Sequence, residues 1–232
     1  MPYSISLARK DFISQVQDIL RICRDSSYKT KGLSTSVRDM VFQAAIFKTS
    51  ALLEEYQKSV ISDWLFAAIS TGYNVGSLPK ELRWFCLSKS HLSDYEKYVI
   101  SKDEGRLIDG LKDKPQNRIL IDSSPLTGLI YPNSIVGDRK YPSIKNIKRL
   151  FSRIGITNIF QRVDRRTRRA FEPIIQSFLD IRQSIAHQHA PALTFNDIRN
   201  HILNLQTFVA ALDRELYLHV NSCHGVSCWR TL

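Results

Sequence analysis

Glu172-Pro173-Ile174-Ile175-Gln176-Ser177-Phe178-Leu179-Asp180-Ile181-Arg182-Gln183-Ser184-Ile185-Ala186-His187 leads through Pro191 into Thr194-Phe195-Asn196-Asp197 and then into Ile198, Ile202, Leu205, Phe208, Val209, Leu212 and Leu216. On both sides of Pro191 the apolar residues return at three- and four-residue steps, the period of a helix that buries one face. Pro173 suits a first helical turn, whereas Pro191 cannot continue a helix from within. Thr194 with Asp197 three positions on resembles a capping arrangement, so a second helix is expected over 197–220. Two long helices joined by a short proline-bearing connection pack antiparallel, and an all-α bundle follows.

Working outward, the same period predicts a helix over 7–24 (Phe12, Val16, Ile19, Leu20, Cys23) and a long one over 36–69. The buried stripe of the long helix is expected to hold Val37, Met40, Val41, Ala44, Phe47, Ala51, Leu52, Tyr56, Val60, Trp64 and Ala68. Pro79 opens a third helix over 80–100, with a break expected near 88–90, and a shorter helix is expected over 104–111. Between 113 and 142 six Pro and Gly residues interrupt the chain, so a long ordered loop is predicted, with 119–121 extended. Ser143 can cap a short helix to residue 154, ended by Gly155 and followed by an Arg-rich linker. No period-2 strand or Asn-Gly hairpin is found.

Composition narrows the class. A chain of 232 residues with 43% apolar and 24% charged residues suits a folded globular protein with one sizeable core. No apolar run reaches the length of a membrane span, and the first ten residues lack a signal-peptide pattern, so a cytoplasmic protein with no membrane partner is expected. Four cysteines are too few and too scattered for a disulfide framework, and Cys23 and Cys86 read as core residues. His219, Cys223, His224 and Cys228 crowd potential zinc ligands near the C-terminus, but their spacing matches no standard finger. No metal and no cofactor is assigned.

The net charge of +11 is concentrated in one place. Between Arg139 and Arg169 lie Arg139, Lys140, Lys145, Lys148, Arg149, Arg153, Arg162, Arg165, Arg166, Arg168 and Arg169 against a single acid, Asp164. A solvated helix face alternates sign; a one-sign segment beside Tyr141, Phe151, Phe160 and Phe171 points to a polyanion such as RNA. A solubilising surface or an acidic protein partner is the competing explanation.

Arg182 and His187 sit five positions apart where a helix is about to stop. With this many Arg and His residues, roughly half a match to that spacing is expected by chance, and context must support it. A second match, Arg214 to His219, falls inside the last helix on a stretch that reads as solvated, with Asp213 and Glu215. The helix-end position is the better placed for a cleft. Five residues correspond to about 140° around a helix axis, so Arg182 and His187 diverge unless the last turn relaxes or two copies of the hairpin meet across a twofold axis.

Arg182-Gln183-Ser184-Ile185-Ala186-His187, following Leu179-Asp180-Ile181, resembles the signature of the HEPN superfamily (higher eukaryotes and prokaryotes nucleotide-binding), in which Arg is followed after four to six residues by His. Ala51-Leu52-Leu53-Glu54-Glu55-Tyr56 and Ile147-Lys148-Arg149-Leu150-Phe151-Ser152-Arg153-Ile154-Gly155-Ile156 resemble the RiboL-PSP-HEPN-like branch. The likeness spans about 36–221. It divides the chain into an N-terminal helical extension (1–34), a HEPN-like helical domain with a long loop insertion (35–221) and a C-terminal tail (222–232). What it implies is a metal-independent ribonuclease, commonly a homodimer with a shared cleft, in toxin–antitoxin or antiviral defence, with an antitoxin or defence-system partner. Two positions depart from the pattern. Gln183 stands where the family often carries Asn, Asp or His. His189 stands where one subgroup has the Tyr that a partner enzyme modifies, which argues against that subgroup.

The residue types suit the implied chemistry. RNA brings its own nucleophile, the 2′-OH, and an imidazole with an ordinary pKa near 6.5 can take or return a proton at neutral pH. His187 is the candidate for that task, and His189 fits the six-residue spacing as a second donor. Arg182 can hold phosphate oxygens in a fork and stabilise the phosphorane-like transition state. Glu54 and Glu55 are candidates to orient Arg182 from a facing helix. Lys145, Lys148, Arg149, Arg153, Arg162, Arg165, Arg166, Arg168 and Arg169 would grip the RNA backbone. The alternative is a non-catalytic HEPN-like module that binds RNA or protein, with His187 capping a helix end and Arg182 on the surface.

Overall fold

A computed structural model describes residues 2–28, 32–112, 114–136, 142–187 and 191–231. The helices are α1 (Leu7–Ser27), α2 (Thr35–Ser70), α3 (Lys80–Ser101), α4 (Glu104–Lys112), α5 (Pro132–Val136), α6 (Ile144–Arg153), α7 (Ile159–Thr167), α8 (Phe171–Ala186) and α9 (Phe195–His224). Among the described residues there is no strand, only an isolated bridge between Asn74 and Pro125. No helix there is long and apolar enough to cross a membrane. The architecture is the expected all-α bundle.

Side-chain caps set several helix starts. Ser6, Ser34 and Ser143 accept from the backbone N–H three residues on, at α1, α2 and α6. At α9 Thr194 and Asp197 cap reciprocally, which orients the helix as it leaves the α8–α9 connection. Gly155 ends α6 with φ +87, and a Cβ there would lie 2.7 Å from Pro79 Cβ, so no side chain fits this close approach.

α1, α2 and α9 form the central layer. Phe12, Val16 and Cys23 of α1 are buried with Leu53, Tyr56 and Trp64 of α2 and Phe208, Leu212 and Leu216 of α9 in one continuous core. The N-terminal segment is tied in by a buried carboxylate. Asp213 accepts from the Tyr3 hydroxyl at 2.6 Å, the Ser6 backbone N–H at 3.2 Å, the Tyr56 hydroxyl at 3.2 Å and the Ser6 hydroxyl. Phe208 stacks on Phe160 of α7 at 5.5 Å and on Phe171 of α8 at 5.7 Å. Each such ring contributes about 1.5–3 kcal/mol on burial, and together they clamp the basic helix α7 against the hairpin.

Several sequence expectations are corrected. The Arg-rich segment after Gly155 is helical through residues 159–167, because Ile159, Phe160 and Val163 recur at helix spacing and all three are buried. The third helix runs unbroken through 88–90, where the Ser88 and Ser90 hydroxyls donate back to the Phe85 and Leu87 carbonyls. Part of 113–142 is a 3-10 helix (Pro115–Leu120) and α5, and Ile119 is buried in that turn rather than extended. In α2 Val37 and Met40 are exposed, since α1 covers the helix only farther along, and Ala44 and Ala51 of the expected stripe are exposed as well. Asp213 and Glu215 are buried, not solvated, because each has donors facing it. The last helix continues past residue 220 to His224, and Cys228 and Trp229 of the expected tail are buried.

Candidate active site and basic face

The α8 sequence buries Phe171, Ile175, Phe178, Leu179 and Ile185, which leaves Arg182 on the flank that meets α2. Its guanidinium lies over the Phe47 ring, 5.5 Å from the centroid. A cation over an aromatic face is held by the ring quadrupole, so Phe47 limits where Arg182 can point. No local signal marks Phe47 for this role, because it is 135 positions away in the chain. His187 is the C-cap residue of α8; its backbone N–H donates to the Gln183 and Ile185 carbonyls and its side chain is exposed. Gln183 is exposed on the last turn, and His189 lies outside the described residues. Within one chain the two predicted groups therefore have different settings: Arg182 is half-buried against α2, and His187 faces outward at the helix end.

Glu54 pairs with Lys58 at 2.7 Å and Glu55 accepts from Ser59 at 3.2 Å, both along α2 itself. His201 of α9 packs on Phe178 with ring centroids 6.0 Å apart, and burial holds its pKa below the ordinary value. The spacing rule did not single it out, since no arginine precedes it at the required distance.

The predicted RNA-gripping residues fall into two groups. Several are engaged with the protein. Lys148 pairs with Glu172 at 2.6 Å, and Arg153 stacks 3.5 Å over the Phe85 centroid while donating to the Ile135 carbonyl. Arg166 reaches Glu215 through Nε at 2.8 Å and Nη2 at 2.6 Å, with Arg162 at 3.6 Å from the same carboxylate. Arg169 donates to Asn204 at 2.9 Å. By contrast Lys145, Arg149, Arg165 and Arg168 are exposed and, among the described residues, have no ion-pair partner. A cleft of about 590 Å³ opens between α7 and α9, lined by Asn158, Gln161, Arg162, Arg165, Arg166 and Glu215. Its one acid is already neutralised by two arginines, so the cleft keeps a positive balance suited to phosphate.

The second Arg/His pair is structural in its surroundings. Arg214 lies over the Tyr3 ring at 4.9 Å, and His219 packs edge-on against Trp64 at 5.5 Å. Of the other cysteine and histidine residues near the C-terminus, Cys223 Sγ is 3.8 Å from His219 Nε2. His224 turns away to accept from Trp64 Nε1 at 3.1 Å and to meet Ser77 at 2.8 Å. Because Nδ1 accepts, Nε2 carries the proton and donates to Ser77. Burial, reinforced by nearby His219, lowers the His224 pKa to about 4. Among the described residues no group of three His, Cys, Asp or Glu side chains gathers in a way that could hold a metal ion. Burial raises the pKa of Cys23 to about 11, which suits a core thiol, and does the same to half-exposed Cys86.

The RiboL-PSP-HEPN family model matches residues 10–217, from the first turn of α1 almost to the end of α9. The chain belongs to the RiboL-PSP-HEPN family. The match takes in most of α1, the helix that the sequence set apart as an extension, along with α8, Arg182 and His187. No curated protein and no solved structure matches the chain. Membership in this HEPN family suggests a nuclease-type or RNA-related function.

Proposed function

We propose that this protein is a metal-independent endoribonuclease of HEPN type, acting as a homodimer in toxin–antitoxin or antiviral defence in the cytoplasm. The observation that carries the reading is the placement of the family's Arg/His pair. Arg182 is braced on Phe47 and His187 ends α8 at the surface, inside the matched region. In the proposed reaction the 2′-oxygen attacks the adjacent phosphorus as its proton passes to His187. The bond from phosphorus to the 5′-oxygen breaks, and that oxygen gains a proton from a second imidazole, either His189 or the partner's copy of the motif. The products are a 2′,3′-cyclic phosphate and a 5′-OH, so atoms and charge balance without a cofactor. Arg182 would hold the non-bridging oxygens, and Gln183 would donate to the same phosphate. The twofold arrangement answers the divergence of Arg182 and His187 within one chain, because a second hairpin can bring its imidazole to the first copy's arginine.

The exposed cations of α6 and α7 support a second reading, a module that binds RNA without cutting it, since Lys145, Arg149, Arg165 and Arg168 do not depend on the hairpin. One experiment separates the two. The purified protein and its His187→Ala variant are incubated in EDTA with an RNA and with an all-DNA oligomer of the same sequence. Cutting of the RNA alone, abolished by the substitution, supports the nuclease. Retention of both oligomers uncut by both proteins sinks it and leaves the binding module.

A further inference from the structure

A second arginine-lined groove lies on the opposite flank of the same hairpin. Gln17, Leu20, Arg21 and Arg24 of α1 face Phe195 and Arg199 of α9 across a cleft of about 380 Å³. None of these residues belongs to the basic segment of α6 and α7, and neither the spacing of the Arg/His pair nor the charge run points to them.

Helix geometry places this groove at the end of the bundle that carries His187. The Phe178 ring of α8 meets the His201 ring of α9, which sets the two helices in register. At about 1.5 Å per residue, His187 lies about 13 Å beyond Phe178 along α8, and Phe195 about 9 Å beyond His201 in the same direction along α9. α1 runs antiparallel to α9 from the anchor of Ser6 on Asp213. From that anchor, equal lengths of helix lead along α1 to Arg24 and back along α9 to Phe195. Arg24, Arg199, Phe195 and His187 therefore share one end of the molecule.

The chemistry of the lining is that of a single-stranded nucleic acid site. Arg21 is paired with Asp18 at 2.9 Å, but Arg24 and Arg199 are exposed and, among the described residues, have no ion-pair partner. Asp197, the acid nearest Arg199 in sequence, is committed to the cap of α9, where bonds from Thr194 hold its pKa down. Phe195 is half-buried and lines the same cleft as the two arginines. Two exposed guanidinium groups and an aromatic side chain in one cleft match the backbone and base of a strand, since phosphates take the charge and any base can stack. A duplex cannot offer an unstacked base to Phe195.

We infer that the α1–α9 groove is a subsite for single-stranded RNA, in which Arg24 and Arg199 hold phosphates and Phe195 stacks on the base between them, leading the strand to the α8–α9 hairpin. This rests on the RNA reading above, and its test separates the two. The probe is a fluorescein-labelled 2′-O-methyl RNA 12-mer, which has no free 2′-OH and cannot be cut. Its binding to the 232-residue chain is read by anisotropy across a salt series. The variants are Arg24→Glu with Arg199→Glu, Phe195→Leu, and a charge-matched control, Arg106→Glu with Arg118→Glu, placed on α4 and the 3-10 turn; thermal melts confirm that each is folded.

The groove pair is expected to weaken binding at least tenfold beyond the control. It should also lower the slope of log K against log salt by about 1.4, the value for two phosphates on a single strand. Phe195→Leu should weaken binding about fivefold with the salt slope unchanged, because stacking is not ionic. Groove variants that bind as the control does overturn the subsite, even if the wild type cuts RNA. A wild type that cuts no RNA but loses binding in the groove variants refutes the nuclease and sustains the subsite.

Discussion

Replacing Asp213 with alanine should destabilise this protein more than any substitution at its proposed active site. The carboxylate is fully buried and accepts from Tyr3, Tyr56 and both the backbone and hydroxyl of Ser6. Hydrogen bonds to a charged group contribute about 1.5–3 kcal/mol each, but half-buried Tyr3 can recover water once the acceptor is gone. The Tyr56 and Ser6 hydroxyls cannot, since both residues are buried, and leaving each unsatisfied costs about 1–3 kcal/mol. The net loss comes to about 4 kcal/mol, or about 10 °C in Tm for a chain of this size. Ser6 also accepts from Arg9 N–H at 3.1 Å as the cap of α1, so the first turn of α1 should fray in the same variant. Urea unfolding followed by circular dichroism measures the first effect, and amide exchange at residues 7–10 the second. Asp213→Asn, which keeps one acceptor oxygen, should lose about half as much. An alanine variant within 1 kcal/mol of wild type, with α1 exchange unchanged, would refute the claim that this carboxylate anchors the N-terminal helix.

Three further outcomes are expected. Because the His224 pKa in the folded chain lies at about 4, below the ordinary 6.5, the unfolded chain takes up a proton first as pH falls. Stability should then be complete above about pH 6.5 and decline toward pH 4 by about 3 kcal/mol, a dependence that His224→Gln should flatten in denaturant titrations. Gly155→Ala forces a side chain onto φ +87 and against Pro79, so a loss of about 2 kcal/mol or more is predicted by calorimetry, whereas Gly72→Ala, with open space around it, should lose less. Phe47→Leu removes the ring beneath Arg182 while keeping an apolar side chain; RNA cleavage should fall several-fold with a Tm change of only a few degrees, and unimpaired cleavage would show that the ring does not brace the arginine.

What the sequence determined by itself is what depends on near neighbours. Periods of three and four residues declared the helices, Ser and Thr their starts, and Pro191 the turn of the hairpin, because each acts through backbone groups a few residues away. The Arg182 to His187 motif and the resemblance it carries were legible for the same reason, being short and contiguous. Even some local features escaped: 159–167 reads as a linker because three arginines, with Arg168 and Arg169 just beyond, mask the three buried residues that make it a helix. Only the tertiary structure decided which charges are spent and which are free. Asp213 and Glu215 look like surface acids until their donors arrive from the segment ahead of α1, from α2 and from α7, and Arg166 reads as an RNA contact until Glu215 meets it. The brace of Phe47 on Arg182, and the meeting of Arg24 with Arg199, likewise join residues more than a hundred positions apart. Charge and hydrogen-bonding act through space over a few ångströms, and which distant side chains come that close is settled by how the helices pack.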